Sequence, residues 1–504
     1  MADPMLPQPT TAMREGTRTA WAGAASTLLS AAAANASPAP APTLGGSAGP
    51  AACHERRPAR RFRRHRSPKA FKPRGRSKAA VEFDVFFSIS QTPVQGSMPD
   101  EGTMFRNFFH QVEAADRMGF GVAWLAESHL SSEVQKRNRL PVIPHWEGEV
   151  GLNCDMLQMA HSIFHRTSSI EVGSAVMNIL CNGGPVAAAE RIAMFATLHG
   201  LDDAERRRIH VGFSAGRFDY MNRAYGVEPR TPFEKALPFG LWKGKVFQEA
   251  SEVFARLLAG ETLGSDDVPA PTLQRADFRS DEDWMKARQA AREAGRLEPA
   301  AAPDGGDVLR FPKQFRFDPL KVVPSGWRRE LVQLVVGSHD PAVHELVNRF
   351  VPAQVANLSI TPPAVIEATH ARMRKAYHPA GGPWKRSYMP RTVLVFLNEE
   401  PGLTPSARRE AARKEASAAL GAYWNALEGT LDPKKVMEAT DNAVIGTAED
   451  VARQLQERYH PEDRLMLWFD FFNHDSARVV RNMQAFRDLV APRLAGGAVA
   501  AARA

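Results

Sequence analysis

Cysteine is scarce in this chain, and long apolar runs are missing. Among 504 residues there are three cysteines, Cys53, Cys154 and Cys181, and no two of them form a CxxC pair. Three thiols cannot form enough disulfide bonds to stabilise a chain of this length, which favours a reducing, cytoplasmic environment. No run of about 18 uninterrupted apolar residues occurs, so the sequence predicts no membrane-spanning helix.

The motifs of two large enzyme classes are missing as well. No GxGxxG sequence follows a strand-like segment and there is no Walker loop, so a nicotinamide-binding Rossmann domain is not predicted. His161 and His165 have the i, i+4 spacing of zinc ligands. However, no glutamate completes an HExxH motif and no third ligand is evident, so we predict no metal site.

Positive charge is concentrated at one end of the chain. The whole sequence has 64 Lys and Arg against 56 Asp and Glu. Residues 1–80 hold 14 of the basic and 3 of the acidic residues, a net charge of +11, so the rest of the chain carries a net −3. Nucleic-acid binding by the main body is therefore not predicted.

Residues 1–80 lack apolar periodicity, because an Ala/Pro-rich stretch passes into an Arg-rich one. We predict a disordered or non-native extension, since this segment cannot bury enough surface to offset the entropy of ordering it. Two other interpretations stay open: a polybasic arm that binds nucleic acid or anionic lipid, and an export signal that begins near Arg14 and Arg18. Residues 495–504 are predicted to form a second disordered tail.

From residue 81 onwards, strand-like and helical segments alternate. The strand-like segments are residues 81–89, 121–126, 170–176, 208–213, 331–337, 353–358, 391–398 and 465–471. Eight such segments, each followed by helical spacing, predict an α/β fold, a (β/α)8 TIM barrel over residues 81–494. A doubly wound sheet is the alternative. The polar stretch at about 265–310 is predicted to be an insertion into the barrel.

Polar residues gather where these strands end. They lie in residues 88–91, 127–129, 174–178, 214–217, 338–340 and 470–474. The active site of a (β/α)8 barrel is built at the carboxyl ends of its strands, so we expect these segments to surround one site.

Aromatic residues are concentrated in the first and the last strand-like segments. They are Phe86, Phe87, Trp468, Phe469, Phe471 and Phe472. Most are expected to pack in the barrel, and those at the strand ends could wall an apolar substrate pocket.

Five segments resemble, in the same order, the bacterial luciferase-like flavin monooxygenase family. Residues 115–120 (ADRMGF) and 124–129 (WLAESH) are similar to its AD-x-x-GF and W-x-x-E-H-H motifs. Residues 172–176 (VGSAV) and 185–190 (PVAAAE) are similar to its G-[ST]-x-V strand and P-V-x-x-A-E helix, and residues 444–451 (VIGTAEDV) to its V-x-G-T-P-E-x-V element. The resemblance implies a (β/α)8 barrel with FMN at its carboxyl face, and a homodimer.

The resemblance and the strand ends together indicate which residues would bind the cofactor. They are Ser88, Ser174, Ala175, Val176, Ser214, Gly216, Arg217, Ser338 and His339. A non-prolyl cis peptide bond between Ala175 and Val176 is implied beneath the flavin ring. Free amides at the helix that opens after Ser338 and His339 would favour the phosphate, although Asp340 could cap that helix instead.

The chain departs from the family at two positions. Ser128 replaces the first histidine of the E-H-H motif, which is catalytic in the luciferases, so their proton chemistry cannot be transferred to this chain. Ala215 stands where the luciferases have a phosphate-binding arginine, and the neighbouring Arg217 is a candidate substitute. His129 could act as a general acid or base or could simply bond to Glu127, and Glu127 is expected to orient its surroundings.

The resemblance implies an oxidoreductase, most plausibly a monooxygenase that uses reduced FMN and dioxygen on a small organic substrate. A separate flavin reductase would supply the reduced FMN, because this chain shows no nicotinamide fold. Hydride transfer with a deazaflavin is an alternative within the same family. A non-catalytic flavin-binding protein, suggested by Ser128, and an interaction protein acting through the basic residues 56–78 are the other hypotheses.

Overall fold

The structure is a computed structural model. It describes residues 82–131, 147–302, 305–357, 361–427 and 443–494. The chain divides into two units, Met1–Arg74 and Gly75–Ala504, and every described residue belongs to the second unit. The predictions of disorder for residues 1–80 and 495–504 lie outside the described residues.

The described residues contain thirteen strands. They are β1 (Glu82–Phe87), β2 (Val122–Leu125), β3 (Glu171–Ser174), β4 (Met177–Asn178), β5 (Ile209–Ser214), β6 (Thr272–Leu273), β7 (Leu297–Glu298), β8 (Val308–Arg310), β9 (Val332–Val336), β10 (Ala353–Val355), β11 (Arg391–Leu397), β12 (Ala443–Gly446) and β13 (Arg464–Trp468). Ten of them form one parallel sheet in the order β10-β9-β5-β3-β2-β1-β13-β11-β12, with β4 paired to β5.

Eight strands of this sheet close into a barrel. Asn357, just after β10, forms a parallel bridge with Arg391 at the start of β11. The Asn357 N–H donates to the Pro390 carbonyl at 2.9 Å, and the Thr392 N–H donates to the Asn357 carbonyl at 3.1 Å. The ring is therefore β1, β2, β3, β5, β9, β10, β11 and β13, and these strands coincide with the eight predicted segments. The predicted (β/α)8 barrel is confirmed, and the doubly wound alternative is wrong because the sheet closes.

Helices follow the strands along the described chain. They are Glu101–Arg117, Met156–Arg166, Gly184–His199, Asp219–Ala224, Pro232–Ala236, Phe239–Ala259, Asp281–Glu293, Pro341–Val347, Pro363–Ala376, Pro405–Leu427, Ala448–Arg458 and Ser476–Ala485. The sequence over residues 232–258 has amphipathic helical spacing throughout, but it forms two helices, because the backbones of Leu237 and Pro238 between them are extended. Proline has no N–H to donate and disfavours helix in the residue before it, so a new helix begins at Phe239.

The stretch predicted as an insertion has regular structure of its own. Strands β6, β8 and β7 form a small antiparallel sheet, which is accompanied by the helix Asp281–Glu293. Leu273, Leu309 and Phe311 are buried in the same hydrophobic cluster as the outer face of the barrel strands. The insertion therefore packs on the barrel, while its boundaries at about 265 and 310 stay a prediction.

A buried ion pair joins β1 to β13 near the amino end of the barrel. Asp84 is fully buried, and Arg464 donates to it from Nε to Oδ2 at 2.6 Å and from Nη2 to Oδ1 at 3.1 Å. The Trp124 indole donates to Oδ2 at 2.7 Å, and the Val122 N–H donates to Oδ1 at 3.0 Å. Burial lowers the pKa of Arg464, but the Asp84 carboxylate more than compensates and raises it overall. Four donors thus satisfy this carboxylate, which offsets much of the cost of its burial.

We expect Asp84→Ala to lower the free energy of unfolding by about 3–5 kcal/mol, because Arg464 would keep a buried charge without its partner. Urea denaturation followed by circular dichroism measures the change. Asp266→Ala, at a fully exposed carboxylate, is the control and should stay within about 0.5 kcal/mol of the wild type. A loss below about 1 kcal/mol for Asp84→Ala would contradict the role given to the ion pair.

Candidate functional site

The carboxyl ends of the barrel strands form one mouth. The Ala126 N–H donates to the Phe87 carbonyl at 2.9 Å, and the Ala175 N–H donates to the Leu125 carbonyl at 2.7 Å. The ends of β1, β2 and β3 therefore lie side by side at the same level. Further round the ring, β5 pairs with β3 on one side and with β9 on the other, so the polar segments that follow these strands share the mouth.

Small side chains form the floor of this mouth. Ala126, Ala175 and Ala356 belong to the hydrophobic cluster that fills the inside of the barrel and lie at its carboxyl end. The peptide bond between Ala175 and Val176 is cis, as predicted. At these three positions the side chains facing the mouth are single methyl groups.

Two glycines allow Val176 to lie across the floor. A Cβ atom at Gly337 would come within 2.7 Å of Val176 Cγ1. A Cβ atom at Gly212 would come within 2.0 Å of the Ser174 carbonyl oxygen. Both distances are shorter than van der Waals contact, so neither position accepts a larger residue without a shift of its neighbours.

Glu127 ties three segments together at one side of the mouth. Its Oε1 accepts hydrogen bonds from His129 Nε2 at 3.0 Å and from the Asn178 N–H at 3.2 Å, and its Oε2 accepts one from the Met156 N–H at 3.3 Å. The side chains of Glu127 and His129 are 3% and 2% exposed. The orienting role predicted for Glu127 matches these contacts. The His129 ring, which also meets Tyr225 edge-on, has little surface left for a ligand.

Ser128, which stands in place of the luciferase histidine, is covered. It is 5% exposed and lies against the fully buried Tyr220. Burial raises the pKa of the Tyr220 phenol, and the neighbouring Ser128 side chain lowers it only in part. The contact between Ser128 and Tyr220 therefore covers the position that the catalytic histidine has in the luciferases. The sequence did not point to Tyr220, because no motif surrounds it.

The turn after β5 is held by a pair of amides. Gly216 has a φ of +72°, and a Cβ atom there would meet Asn178 Nδ2 at 2.3 Å, so glycine is needed. Asn178 Nδ2 donates to Asn222 Oδ1 at 2.7 Å, and Asn222 Nδ2 donates to the Ala215 carbonyl at 2.9 Å. The Gly216 N–H donates to Ser214 Oγ at 3.0 Å. These bonds fix the backbone of this turn.

Arg217 is the exposed cation of that turn. Its Nη1 donates to the Tyr423 hydroxyl at 3.1 Å, and its guanidinium lies 5.4 Å from the centre of the Phe218 ring. The side chain therefore reaches from the end of β5 to the helix Pro405–Leu427, beside the mouth.

The segment after β9 uses its polar groups locally. Asp340 caps the helix Pro341–Val347, with Oδ1 accepting from the Ala342 N–H at 2.9 Å, and Ser338 Oγ accepts from the Asp340 N–H at 3.1 Å. Nε2 of His344 bonds to the Ser338 carbonyl at 2.6 Å, and burial lowers the pKa of His344 to about 4. Asp340 therefore caps the helix, which was the alternative to phosphate binding at this helix start. Phosphate binding by Ser338 and His339 stays a prediction.

A pocket opens between the ends of β1 and β13. It consists of two adjoining clefts that share Ser88, Ser90, Asp470 and His474, with 320 and 300 Å³ of empty space when the open solvent at their openings is included. The second cleft is also lined by Tyr423, Trp468, Phe471 and Phe472, which we call the aromatic wall. The predicted wall at the strand ends is therefore present, whereas Phe87 and Phe469 pack in the outer core.

Asp470 is the group in this pocket to which sequence analysis gave no role. Its Oδ1 is buried, and no described residue donates a hydrogen bond to it within bonding distance. Burial raises the pKa of Asp470 to about 7, although its own N–H and the neighbouring Trp468 indole, whose N–H makes no hydrogen bond of its own with a described residue, lower it in part. The signal in the sequence was an acid among four aromatic residues, in the run WFDFF over residues 468–472.

Not every predicted residue presents its side chain to the mouth. Ser88 lines the pocket, and Ser214, Gly216 and Arg217 lie in the turn after β5. Ser174 is fully buried, so only its backbone is available at the mouth.

The described residues show no metal centre. None of their His, Cys, Asp and Glu side chains come together in a group of three or more that could hold a metal ion. His161, weighed above as a zinc ligand, packs against Phe195 with 4.4 Å between ring centres. Among the helices in the described ranges, none combines the length and the apolar character needed to cross a bilayer.

Comparison with known proteins gives one sequence match. Residues 81–268 match the family model described as luciferase-like monooxygenase. No curated protein matches the chain.

Solved structures share the fold at low identity. The monooxygenase RslO1 from Streptomyces bottropensis is 16% identical, with a TM-score of 0.54, over 82% of this chain and 99% of that one. The oxygenating constituent of 3,6-diketocamphane monooxygenase from Pseudomonas putida, a type II Baeyer–Villiger monooxygenase in complex with FMN, is 11% identical, with a TM-score of 0.48, over 82% and 98% of the two chains. The fold seen in RslO1 supports the barrel found here. The resemblance drawn from the motifs is confirmed, since residues 81–268 of this chain match the luciferase-like monooxygenase model.

Proposed function

We propose that this protein is a flavin-dependent oxidoreductase, a monooxygenase that uses reduced FMN and dioxygen to oxidise a small organic substrate. The family match supports oxidoreductase chemistry. The observation that carries the choice of a flavin is the floor of small residues at the barrel mouth.

The residues present fit a planar three-ring cofactor. Ala126, Ala175 and Ala356 offer an apolar surface without projecting groups. Val176 packs closely against Gly212 and Gly337, neither of which has a side chain to displace it. When bound, reduced FMN supplies the electrons that reduce dioxygen and oxidise the substrate, and the protein positions the partners and excludes water.

The phosphate of FMN would lie at the ends of β5 and β9. Arg217 supplies a positive charge there, and the turn from Ser214 to Gly216 is already fixed by the amides of Asn178 and Asn222. Ser338 and His339 extend the same side of the mouth. Ser88 approaches from β1, and Ser174 contributes through its backbone.

In this proposal Glu127 and His129 hold the segments around the site in place. The carboxylate joins β2, the start of the helix Met156–Arg166 and the segment after β3, so it fixes the edge of the floor. His129 is held by the same carboxylate. Proton transfer by His129 is the competing role, and the Glu127 experiment described below separates the two.

The covered Ser128 favours a second candidate, a flavin-binding protein without turnover. The luciferase histidine is missing and its position is filled by a buried contact with Tyr220. A flavin reductase as supplier of reduced FMN, a homodimer and a cytoplasmic location belong to the main proposal, and the deazaflavin alternative is tested with FMN below.

We expect the purified protein to quench the fluorescence of FMN on binding and to consume dioxygen when reduced FMN and a substrate are supplied. Arg217→Ala should weaken FMN binding by about tenfold, because it removes one charged contact to phosphate. Arg166→Ala, at a half-exposed arginine paired with Glu113, is the control. Binding of a deazaflavin without binding of FMN would contradict the choice of cofactor. FMN binding with no turnover over a panel of aldehydes, sulfonates, hydrocarbons and amines would favour the second candidate.

Glu127→Ala should lower the free energy of unfolding by about 2–4 kcal/mol, because two backbone N–H groups and a buried histidine lose their acceptor. Thermal and urea unfolding measure the loss. Glu113→Ala, which breaks an exposed pair with Arg166, should cost less than about 1 kcal/mol. Unchanged stability together with a fall in kcat of about a hundredfold would instead assign Glu127 and His129 to proton transfer.

A further inference from the structure

The pocket at β1 and β13 lies across the mouth from β5 and β9, and Arg217 reaches its edge through a hydrogen bond to Tyr423 of the aromatic wall. In the ring of eight strands, β13 stands opposite β5, which carries the turn with Arg217. A flavin with its phosphate at β5 and β9 and its ring on the alanine floor would leave the side of β1 and β13 for the substrate. The pocket with Asp470 occupies that side.

The pocket is unusual in its charge. Asp470 is the acid that both clefts share, and no lysine or arginine lines either cleft among the described residues. Trp468, Phe471, Phe472 and Tyr423 stand on one side of the carboxyl group, with 4.7 Å between the ring centres of Trp468 and Phe471 and 5.0 Å between those of Phe471 and Phe472. The rest of the lining that faces Asp470 is neutral or histidine.

The contrast with Asp84 shows what Asp470 lacks. Asp84, at the other end of the barrel, accepts four hydrogen bonds, two of them from a guanidinium. Asp470 has a buried Oδ1 that no described residue reaches with a donor. A buried carboxylate needs a cation or several donors to offset its desolvation, and neither is in place among the residues described here.

We propose that this pocket binds the substrate, and that it selects a substrate with a basic nitrogen whose protonated form pairs with Asp470 beside the aromatic wall. The inference rests on the proposed function, since it names the substrate class of that site. An ammonium group supplies both the charge and the N–H donor that Oδ1 lacks. Aromatic rings attract such a cation further, most strongly where water is excluded.

We expect Asp470 to control ligand binding near neutral pH, because the other titratable groups around it are already bonded to other partners. His474 bonds through Nε2 to the Thr92 carbonyl at 2.6 Å. From the helix Pro405–Leu427, Tyr423 accepts a hydrogen bond from Arg217, and Glu415 pairs with Arg478 and accepts from Asn473. From β1 and the helix Glu101–Arg117, the pocket receives neutral side chains.

Burial raises the pKa of Asp470 to about 7, so the carboxyl is partly protonated in neutral solution. A cation binds the ionised form, and the proton must leave before the pair can form. Affinity for an ammonium ligand should therefore rise as the pH rises through neutrality, and Asp470→Asn should abolish that rise.

The test is calorimetric titration of the full chain, without flavin, with two probes of the same shape. N,N-dimethylethanolamine is the protonated amine, and isoamyl alcohol is its neutral counterpart. We expect the amine to bind at least about tenfold more tightly than the alcohol, and its affinity to increase from about pH 6 to about pH 8. Asp470→Asn should remove both effects, while Asp266→Asn, at an exposed carboxylate, should retain them.

Asp470→Asn removes a buried charge without a partner, so it should fold as well as the wild type. Phe472→Leu provides a second variant, which should weaken amine binding and leave alcohol binding nearly unchanged. Equal affinity for the two probes, or a pH dependence that survives in Asp470→Asn, would overturn the inference. FMN binding is measured separately, so a protein that prefers the amine but does not bind FMN would overturn the proposed function and leave the charge preference established.

Discussion

The structure depends on the seam between its first and last barrel strands. β1 and β13 are separated by almost the whole described chain, and the ring closes at this point through the Asp84–Arg464 pair. Such a distant contact costs loop-closure entropy, so it must be strong and specific. A carboxylate that accepts from a guanidinium, an indole and a backbone N–H is satisfied in one register, because shifting either strand by one residue would turn the charge into the outer core.

That register determines what lies at the mouth. Side chains on a strand alternate between its two faces, so Asp84 is followed on the same inner face by Phe86 and then by Ser88. On β13, Arg464 is followed in the same way by Met466, Trp468 and Asp470. Phe86 and Trp468 meet with 4.5 Å between ring centres, midway between the ion pair and the pocket. The ion pair near the amino end of the barrel therefore fixes the register of β1 and β13. That register places the Asp470 carboxyl on the inner face at the opposite end.

Much of this architecture could be read from the sequence, because buried parallel strands are continuous apolar runs and all eight were recognisable. The break at Leu237 and Pro238 was missed because the apolar spacing continues across it. Ser174 was expected to face the cofactor, yet alternation places it with the outward-facing Val172, whereas Ala175 faces inward. Asp470 was overlooked for a different reason: its environment comes from β1 and from the helix Pro405–Leu427, which the local sequence does not reveal.

The two acids on the inner face of the barrel show how the same side chain takes different roles. Asp84 lies where the two neighbouring strands β2 and β13 supply donors, so its charge is stable and its contribution is structural. Asp470 lies beyond the last ladder bond of β13, where the chain has left the sheet and aromatic rings replace donors. Asp470 is partly buried, and the fold gains nothing in stability from leaving its Oδ1 without a donor. An unmatched carboxylate oxygen at the carboxyl end of a barrel is expected where a ligand provides the missing partner.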